Sequence, residues 1–379
     1  MEVYLDNAAT TKIDEKVLKA MEPYLTEKYG NASSLHTIGL EAKRALEQSR
    51  DTVAKSIKAK PDEIIFTSGG TESNNLALKG VIFSNPGKKH IITTSIEHSS
   101  ILETCKWLEK QGIKITYLPV DSEGFVNLEK LNNSITKQTA LVSIIHANNE
   151  IGTIQNIKEI GKICKEKNVL FHIDACQSFT KVPIDVKKQN IDLISLNSHK
   201  IHGPKGVGAL YIRRGIRITP LLHGGGHEKG VRSGTENIAG IVGFAEAIKL
   251  AKPKYNNYMR KLRDKLIEEI LKIPKTNLNG PTGKNRLCNN INICFNNIDG
   301  EAIGGYLNAY NIYSSTGSAC SSHRLEPSHV LRAIGLSTKQ ANSSIRLSLS
   351  RFNTKKEIDY VIEILKKVIK KLRKMSPEK

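Results

Sequence analysis

The stretch from Ser195 to Gly208 reads SLNSHKIHGPKGVG. It sets Lys200 after small and polar residues and ahead of the turn His202-Gly203-Pro204-Lys205-Gly206. Val207 to Ile212 then resumes an apolar, strand-like run. A lysine in such a turn between two buried strands is not a solvated surface lysine by default. Desolvation makes an amine give up its proton more readily, and a neutral amine is a nucleophile toward a carbonyl. A loop lysine contacting a phosphate or a carboxylate is an equal reading of this stretch alone. The surrounding chain has to decide between them.

Upstream, Glu63 to Thr67 is a short apolar strand, followed at once by Ser68-Gly69-Gly70-Thr71-Glu72-Ser73 and a helical pattern from Asn74 to Phe83. Strand, glycine turn and helix start together make an anion site, because free backbone N–H groups and the positive end of the helix dipole point at one spot. It is not a Walker loop, since the Gly-Lys-Ser/Thr ending is absent. Further strand-like runs lie at His90–Ile96, Ile113–Val120, Ala140–His146, Val169–Ile173 and Ile191–Leu196, with helical stretches such as Ser99–Lys110 and Ile157–Lys167 between them. Alternating β and α elements with near-continuous apolar strands predict an α/β fold with a mostly parallel sheet covered on both faces. In such sheets the site lies at the carboxyl ends of the strands. Those ends carry Ser68 to Thr71, Glu97-His98, His146 to Glu150, Asp174 to Gln177 and Asn197 to Lys200. Five polar ends in succession describe a cleft.

Toward the N-terminus, Asp14 to Tyr29 has helical spacing with Asp14 as N-cap, and a second helix runs from about His36 to Ala59. Downstream, Leu221 to Glu228 is too glycine-rich for regular structure, and a polar loop of roughly 15–20 residues inside a compact domain is usually functional or at an interface. A helix from Ile238 to Leu250 and an amphipathic helix from about Tyr255 to Ile273 follow. Beyond them the organisation changes: strands at Asn290–Phe295 and Ile345–Ser350, a helix at Gly300–Asn308 and a closing helix at Lys355–Lys374. We expect a large domain over residues 14–254 and a smaller α+β domain formed by 1–13 and 255–379.

Bulk composition sets the class. Of 379 residues, 39% are hydrophobic and 25% charged, as in a soluble globular protein. No apolar run approaches a membrane span and the N-terminus lacks a signal-peptide pattern, so cytoplasmic location is the expectation. The six cysteines (105, 164, 176, 288, 294 and 320) are far apart with no C-x-x-C pair, which argues against a disulfide framework and a paired-cysteine zinc site. A net charge of +20 invites a nucleic-acid reading. The lysines are dispersed, though densest in the last helix, and no zinc-finger or aromatic RNA-binding signature accompanies them. Attraction to an acidic protein partner fits better.

The polar strand ends can be read as chemistry. Pyridoxal phosphate needs a lysine for its Schiff base, an acid at its pyridine nitrogen, a cup for its phosphate and a flat group against its ring. Lys200, Asp174, Gly70-Thr71 with Asn197, Ser198 and His199, and His98 are candidates for these in turn. Singly each has an ordinary reading: His98 as a satisfied buried histidine, Asp174 as a cap for the next helix. Their joint occurrence in strand-end order favours the cofactor.

The chain resembles the cysteine desulfurases of the NifS/IscS type, fold-type I pyridoxal phosphate enzymes of the class V aminotransferase group. The resemblance runs end to end through YLDNAATT (Tyr4–Thr11), TSGGTESNN (Thr67–Asn75), HANNEIGT (His146–Thr153), HIDACQ (His172–Gln177), SHKIHGPKG (Ser198–Gly206), HGGGHE (His223–Glu228), RSGTEN (Arg232–Asn237), STGSACSS (Ser315–Ser322) and RLSLSRFNT (Arg346–Thr354). It implies a mostly parallel seven-stranded sheet in the large domain. It assigns Gly70, Thr71, Asn197, Ser198 and His199 to the phosphate, Gln177 to the ring hydroxyl, and Asn149 to the region of ring hydroxyl and substrate. Thr235 is assigned to the phosphate of the neighbouring subunit, hence an obligate homodimer with shared sites. Arg346 is assigned to the substrate α-carboxylate, a task suited to a bidentate guanidinium. Two positions depart from the pattern: Asn197 stands where Ser is usual and Gly70 where Ala is usual, so altered phosphate contacts are expected.

Cys320 matches the nucleophile that becomes the persulfide. Its surroundings, Ser314 to Ser322, are small and polar and cannot pack a core, so access favours this thiol over Cys164 in an amphipathic helix. The short connection from Cys320 to Leu325-Glu326-Pro327 resembles the NifS/IscS branch rather than the SufS-like one. The resemblance implies L-cysteine as substrate, alanine as product, and sulfur passed to scaffold proteins for iron–sulfur clusters or to thiolating enzymes. It implies no resident metal, with Cys320 as a transient iron–sulfur ligand, and His98 as proton shuttle beside Lys200. A selenocysteine lyase and a class V aminotransferase are the alternatives; the latter has no use for Cys320.

Overall fold

The computed structural model describes residues 1–316 and 327–375. The strands among them are β1 (Val3–Tyr4), β2 (Ile64–Thr67), β3 (His90–Thr94), β4 (Lys114–Leu118), β5 (Thr139–Ile145), β6 (Leu170–Asp174), β7 (Leu193–Asn197), β8 (Gly208–Ile212), β9 (Thr276–Leu278), β10 (Asn290–Phe295), β11 (Ile312–Tyr313) and β12 (Ser344–Ser348). Seven form one sheet in the order β2-β8-β7-β6-β5-β3-β4. Strands β7, β6, β5, β3 and β4 are parallel, while β8 is antiparallel to both β2 and β7. The mostly parallel seven-stranded sheet is therefore present, with one reversed strand. The reversal has a local cause: the connection from Ser198 to Val207 holds no helix, and a parallel crossover needs about a dozen residues or more, usually helical. Lys200 thus sits in a tight return between antiparallel neighbours.

Both faces of the sheet are covered, as the apolar strands require. Ile64, Phe66, Ile194, Leu196, Ala209 and Tyr211 enter one core, shared with Val53 and Phe244 from helices Thr37–Ser56 and Ile238–Leu250. The intervening Ile65, Leu193 and Leu210 point to the other face and pack with Leu76, Val81, Ile101 and Leu108 of helices Gly70–Ser84 and Ser99–Lys110. Alternate residues of one strand feeding two cores is the period-two rule of a pleated sheet.

A separate core collects Leu262, Leu266, Ile291, Ile293, Leu347, Ile358 and Leu365 together with Val3 and Leu5. Here β10 lies between β12 and β9, antiparallel to both, and β1 pairs with β11. A small cluster joins Ile96, Ile145 and Ile151 at the carboxyl edge of the large sheet to Val330, Leu331 and Ile334. No helix among the described residues is long and apolar enough to cross a membrane.

The structure departs from the sequence reading at element ends. The first helix is divided into Glu15–Met21, capped by Asp14, and Pro23–Thr26. Pro23 has no N–H to continue the ladder, which is why the pattern breaks there. The helix expected from Asn74 begins at Gly70, behind Gly69 at φ +153°, a backbone angle that suits glycine. The glycine-rich loop after Leu221 is held by one buried ion pair. Arg50 Nη1 and Nη2 donate to the Glu228 carboxylate at 2.7 and 2.8 Å, and the backbone N–H of Phe66 in β2 donates to it at 2.8 Å. The two side chains are only 4% and 2% exposed. Breaking such a pair leaves an uncompensated buried charge, so Glu228→Ala should lower stability by about 3–5 kcal/mol in chemical unfolding, and Glu47→Ala, an exposed partner of the same arginine, by under ~1 kcal/mol.

Candidate functional site

Five strand ends open into one cavity of about 170 Å³. The turn and helix after β2 supply Gly70, Thr71 and Asn74. The segment after β3 supplies His98 and Ser100, that after β5 Asn149, that after β6 Asp174, Cys176 and Gln177, and the end of β7 with its turn Asn197, His199 and Lys200. A larger cavity, about 470 Å³, lies at the opposite ends of β6 and β7 beside Val169, Leu170 and Ile191, and gathers no comparable set. Of the residues singled out from sequence, Ser198 is fully buried without lining the site cavity, and Thr235 is exposed on its loop. Arg346 lies one contact away. Cys320 lies outside the described residues.

Asp174, the last residue of β6, is buried, and each of its carboxylate oxygens accepts a hydrogen bond. Asn74 Nδ2 donates to Oδ2 at 2.8 Å and the Cys176 N–H donates to Oδ1 at 2.9 Å. Burial alone would raise the carboxyl above its usual range; His98 and these hydrogen bonds outweigh it and hold it below. Asp174 does not cap a helix: its backbone bond is to the turn of Cys176. Asn74 stands one helical turn beyond Gly70, on the same face, and its second amide hydrogen goes to Ser100 Oγ at 2.8 Å. That hydroxyl in turn meets His98 Nδ1 at 2.8 Å.

His98 does cap a helix. Its Nδ1 accepts the Ser100 N–H at 3.1 Å at the start of Ser99–Lys110, which leaves Nε2 as the protonated nitrogen of the neutral ring. Burial chiefly, and then the neighbouring Lys200, lower its pKa to about 4, against a smaller upward pull from Asp174. The ring is neutral at physiological pH. His199 is likewise brought to about 4, by burial first and by Lys200, Lys205 and Lys181 after it. Next to His98, Glu97 is buried, accepts from Thr94 Oγ1 and the Ile145 N–H, and is pushed up to about 8 by that burial.

Arg346 is 2% exposed on β12. Its Nη2 pairs with Asp6 Oδ1 at 2.8 Å, its Nη1 donates to the Asn149 carbonyl at 3.2 Å, and its Nε is buried without a partner. Gln177 Nε2 donates to the Ala8 carbonyl at 2.8 Å. The N-terminal stretch Asp6 to Thr11 therefore runs along the site, and sequence reading, which places it with the second domain, assigns it no part in the cavity.

The class-V aminotransferase pattern matches residues 3–361. The chain belongs to the class-V aminotransferase family. It is 54% identical to a cysteine desulfurase IscS of Methanosarcina thermophila, covering 99% of this chain and 94% of that protein. It is 52% identical to one of Clostridium botulinum, covering 99% and 96%. Among solved structures it is similar to a NifS-like protein (TM-score 0.91, 43% identity, covering 98% of this chain and 100% of that one). It is also similar to SspA in complex with cysteine (TM-score 0.84, 38% identity, covering 93% and 100%). Cysteine desulfurases of this family depend on pyridoxal phosphate, and the donor set fits that group. An ionised buried carboxylate, an uncharged imidazole, a lysine and the N-terminus of a 15-residue helix converge on one cavity. Asn197 Oδ1 and Asn74 Oδ1 are buried there with no protein partner.

The glycine at position 70 has a structural reason. A Cβ built on Gly70 would stand 2.5 Å from Cys176 Sγ and 3.7 Å from Asn197 Nδ2. The thiol fills the space that an alanine methyl would take. Gly70→Ala should cost about 1–3 kcal/mol as overpacking, and Cys176→Ala in the same chain should recover most of it. The double-mutant cycle in thermal or chemical unfolding reads this coupling. Glu97 gives a pH signature. Its folded pKa lies above the ordinary carboxyl value, so its contribution to stability is full at acid pH and fades as pH rises toward 8. Glu97→Gln should therefore gain in thermal midpoint relative to wild type between pH 5 and 8.

Proposed function

We propose that this protein is a pyridoxal phosphate-dependent cysteine desulfurase that converts L-cysteine to L-alanine and carries the sulfur as a persulfide on Cys320. The observation that carries the reading is the single cavity in which Lys200 meets an ionised Asp174 and a neutral His98. Its context is a family member 54% identical to a cysteine desulfurase.

Bound pyridoxal phosphate would supply an electron sink conjugated to the substrate α-carbon. The N–H groups of Gly70 and Thr71 at the helix start, with Asn197, Ser198 and His199, would hold its phosphate, and Thr235 would reach that of a second subunit in a homodimer. Asp174, kept anionic by Asn74 and the Cys176 N–H, would hold a proton on the pyridine nitrogen. His98 would lie against the ring, and Gln177 and Asn149 would serve its hydroxyl. Lys200 Nζ would bind the aldehyde carbon and, once displaced by the substrate amine, take the α-proton. Arg346, with its buried Nε unpartnered, would turn its fork to the substrate carboxylate. The Cys320 thiolate would attack the substrate sulfur: an S–S bond forms, the C–S bond breaks, and its electron pair stays with carbon, which takes up a proton and leaves as alanine. His98 Nε2 is the group that would relay that proton.

The division into residues 14–254 and 1–13 with 255–379 fits a core drawn from residues 17–250 and a separate one drawn from Val3, Leu5 and residues 262–372. The relatives' name IscS favours iron–sulfur assembly as the destination of the sulfur, and the charge of +20 favours an acidic scaffold as acceptor in the cytoplasm. Cys320→Ser should retain the cofactor's visible absorbance and lose sulfide release from L-cysteine in the presence of a thiol reductant. Undiminished release would overturn the desulfurase reading with Cys320 as nucleophile. Keto-acid formation without sulfide release would turn it toward a class V aminotransferase, and a preference for selenocysteine toward a lyase of that amino acid.

A further inference from the structure

Lys181 follows the turn that leads away from Asp174, and it has no place in the chemistry above. Its side chain is directed inward. Nζ donates to the carbonyl oxygen of Gln177 at 3.0 Å and to that of Lys200 at 3.3 Å. One carbonyl belongs to the turn after β6, the other to the return after β7, and both residues place their side chains in the cavity. Lys181 itself does not line that cavity; it borders a small void of about 40 Å³ on another side of Lys200.

The chain accepts strain to aim it. Thr180, immediately before, stands at φ +63°, where β-branched residues are outliers. Backbone held in such a conformation persists only where surrounding contacts over-determine it, and it concentrates at working sites. The contact here is Asn256 of helix Pro253–Leu271, whose Nδ2 donates to the Thr180 carbonyl at 2.9 Å and to the Lys181 carbonyl at 3.4 Å. A side chain beside the second core thus fixes a lysine that ties two strand-end turns of the first.

We propose that Lys181 is a positioning residue for Lys200, fixing its backbone relative to Gln177 so that the amine meets the cofactor in one orientation. Burial, opposed by Cys288 and aided by Lys200, brings its own pKa down to about 8, so near neutral pH it is cationic and its two bonds are charge-assisted. The inference rests on the reading of Lys200 as the cofactor's lysine.

The test uses the enzyme loaded with pyridoxal phosphate: wild type, Lys181→Met and Lys181→Arg. The readouts are visible-region circular dichroism per bound cofactor and kcat and KM for L-cysteine. Lys181→Met should bind the cofactor with at least a roughly twofold weaker dichroic band. Its kcat should fall about tenfold and its KM should change less than about twofold, because misplacement costs rate rather than binding. Lys181→Arg, which keeps the donors, should stay within about threefold of wild type in kcat. Lys181→Met matching wild type in both readouts, or Lys181→Arg failing as badly as Lys181→Met, overturns the proposal. Should Lys181→Met not fold, Asn256→Ala loosens the same turn with the lysine retained. A weaker dichroic band with a lower kcat supports the proposal, and unchanged values overturn it. Wild type that takes up no cofactor would instead overturn the reading of Lys200 beneath it.

Discussion

A carboxylate buried at the end of the central strand β6 governs the arrangement of this molecule. An isolated charge there would cost several kcal/mol and would be relieved by protonation. Asp174 escapes that outcome through two donors that arrive from different directions, the Asn74 amide from helix Gly70–Ser84 and the Cys176 N–H from its own turn. The first donor sets a condition on the fold. Asn74 reaches Asp174 only if the helix starts at Gly70, and that start also turns the first N–H groups toward the cavity. The anion site and the acid are consequences of one helix position. The network goes on through Ser100 to His98, so the ring orientation on the opposite wall depends on the same amide.

Around this carboxylate the imidazoles are uncharged. His146 and His172 are held to about 4 by burial, each hydrogen bonded to a serine hydroxyl, as His98 and His199 are by burial and nearby lysines. Neutral rings supply hydrogen bonds and shape without competing cationic charge. Asp174 and Lys181 then carry charge beside them, and Lys181 is tied to backbone at both strand-end turns.

Much of this is legible in the chain, for identifiable reasons. Fully buried strands write themselves as apolar runs, and β10 is bounded to the residue at Asn290–Phe295. The strand-end order is legible because polar residues that close an apolar run add nothing to its core and so point to a cleft. The reversed strand β8 is not among the sequence expectations, although the helix-free interval after Asn197 implies it. Asn74 lies within a quoted motif that gives it no task; its spacing of four from Gly70 is the available signal. Asp6 beside Arg346, Cys176 against Gly70 and Lys181 behind Lys200 are contacts over long sequence separations or between backbone and side chain, and periodicity does not carry such information.

The second core contributes more than a cover. On one side of residues 317–326, Ser315 exchanges backbone hydrogen bonds with Arg346 at 2.6 and 3.1 Å. On the other, Ser328 Oγ donates to Glu150 at 2.5 Å and His329 Nε2 donates to the Glu97 carbonyl at 2.9 Å. Arg346, Glu150 and Glu97 are buried, and Glu150 and Glu97 adjoin Asn149 and His98 at the cavity. One flank of the segment that contains Cys320 is therefore paired with the strand that carries Arg346, and the other is bonded to the segments that follow β3 and β5 beside the cavity. A rigid sheet edge fixes the groups that need angstrom-scale placement. The same edge fixes the chain after the cysteine and β12 fixes the chain before it, which lets its identity be specified more than a hundred residues away from Lys200.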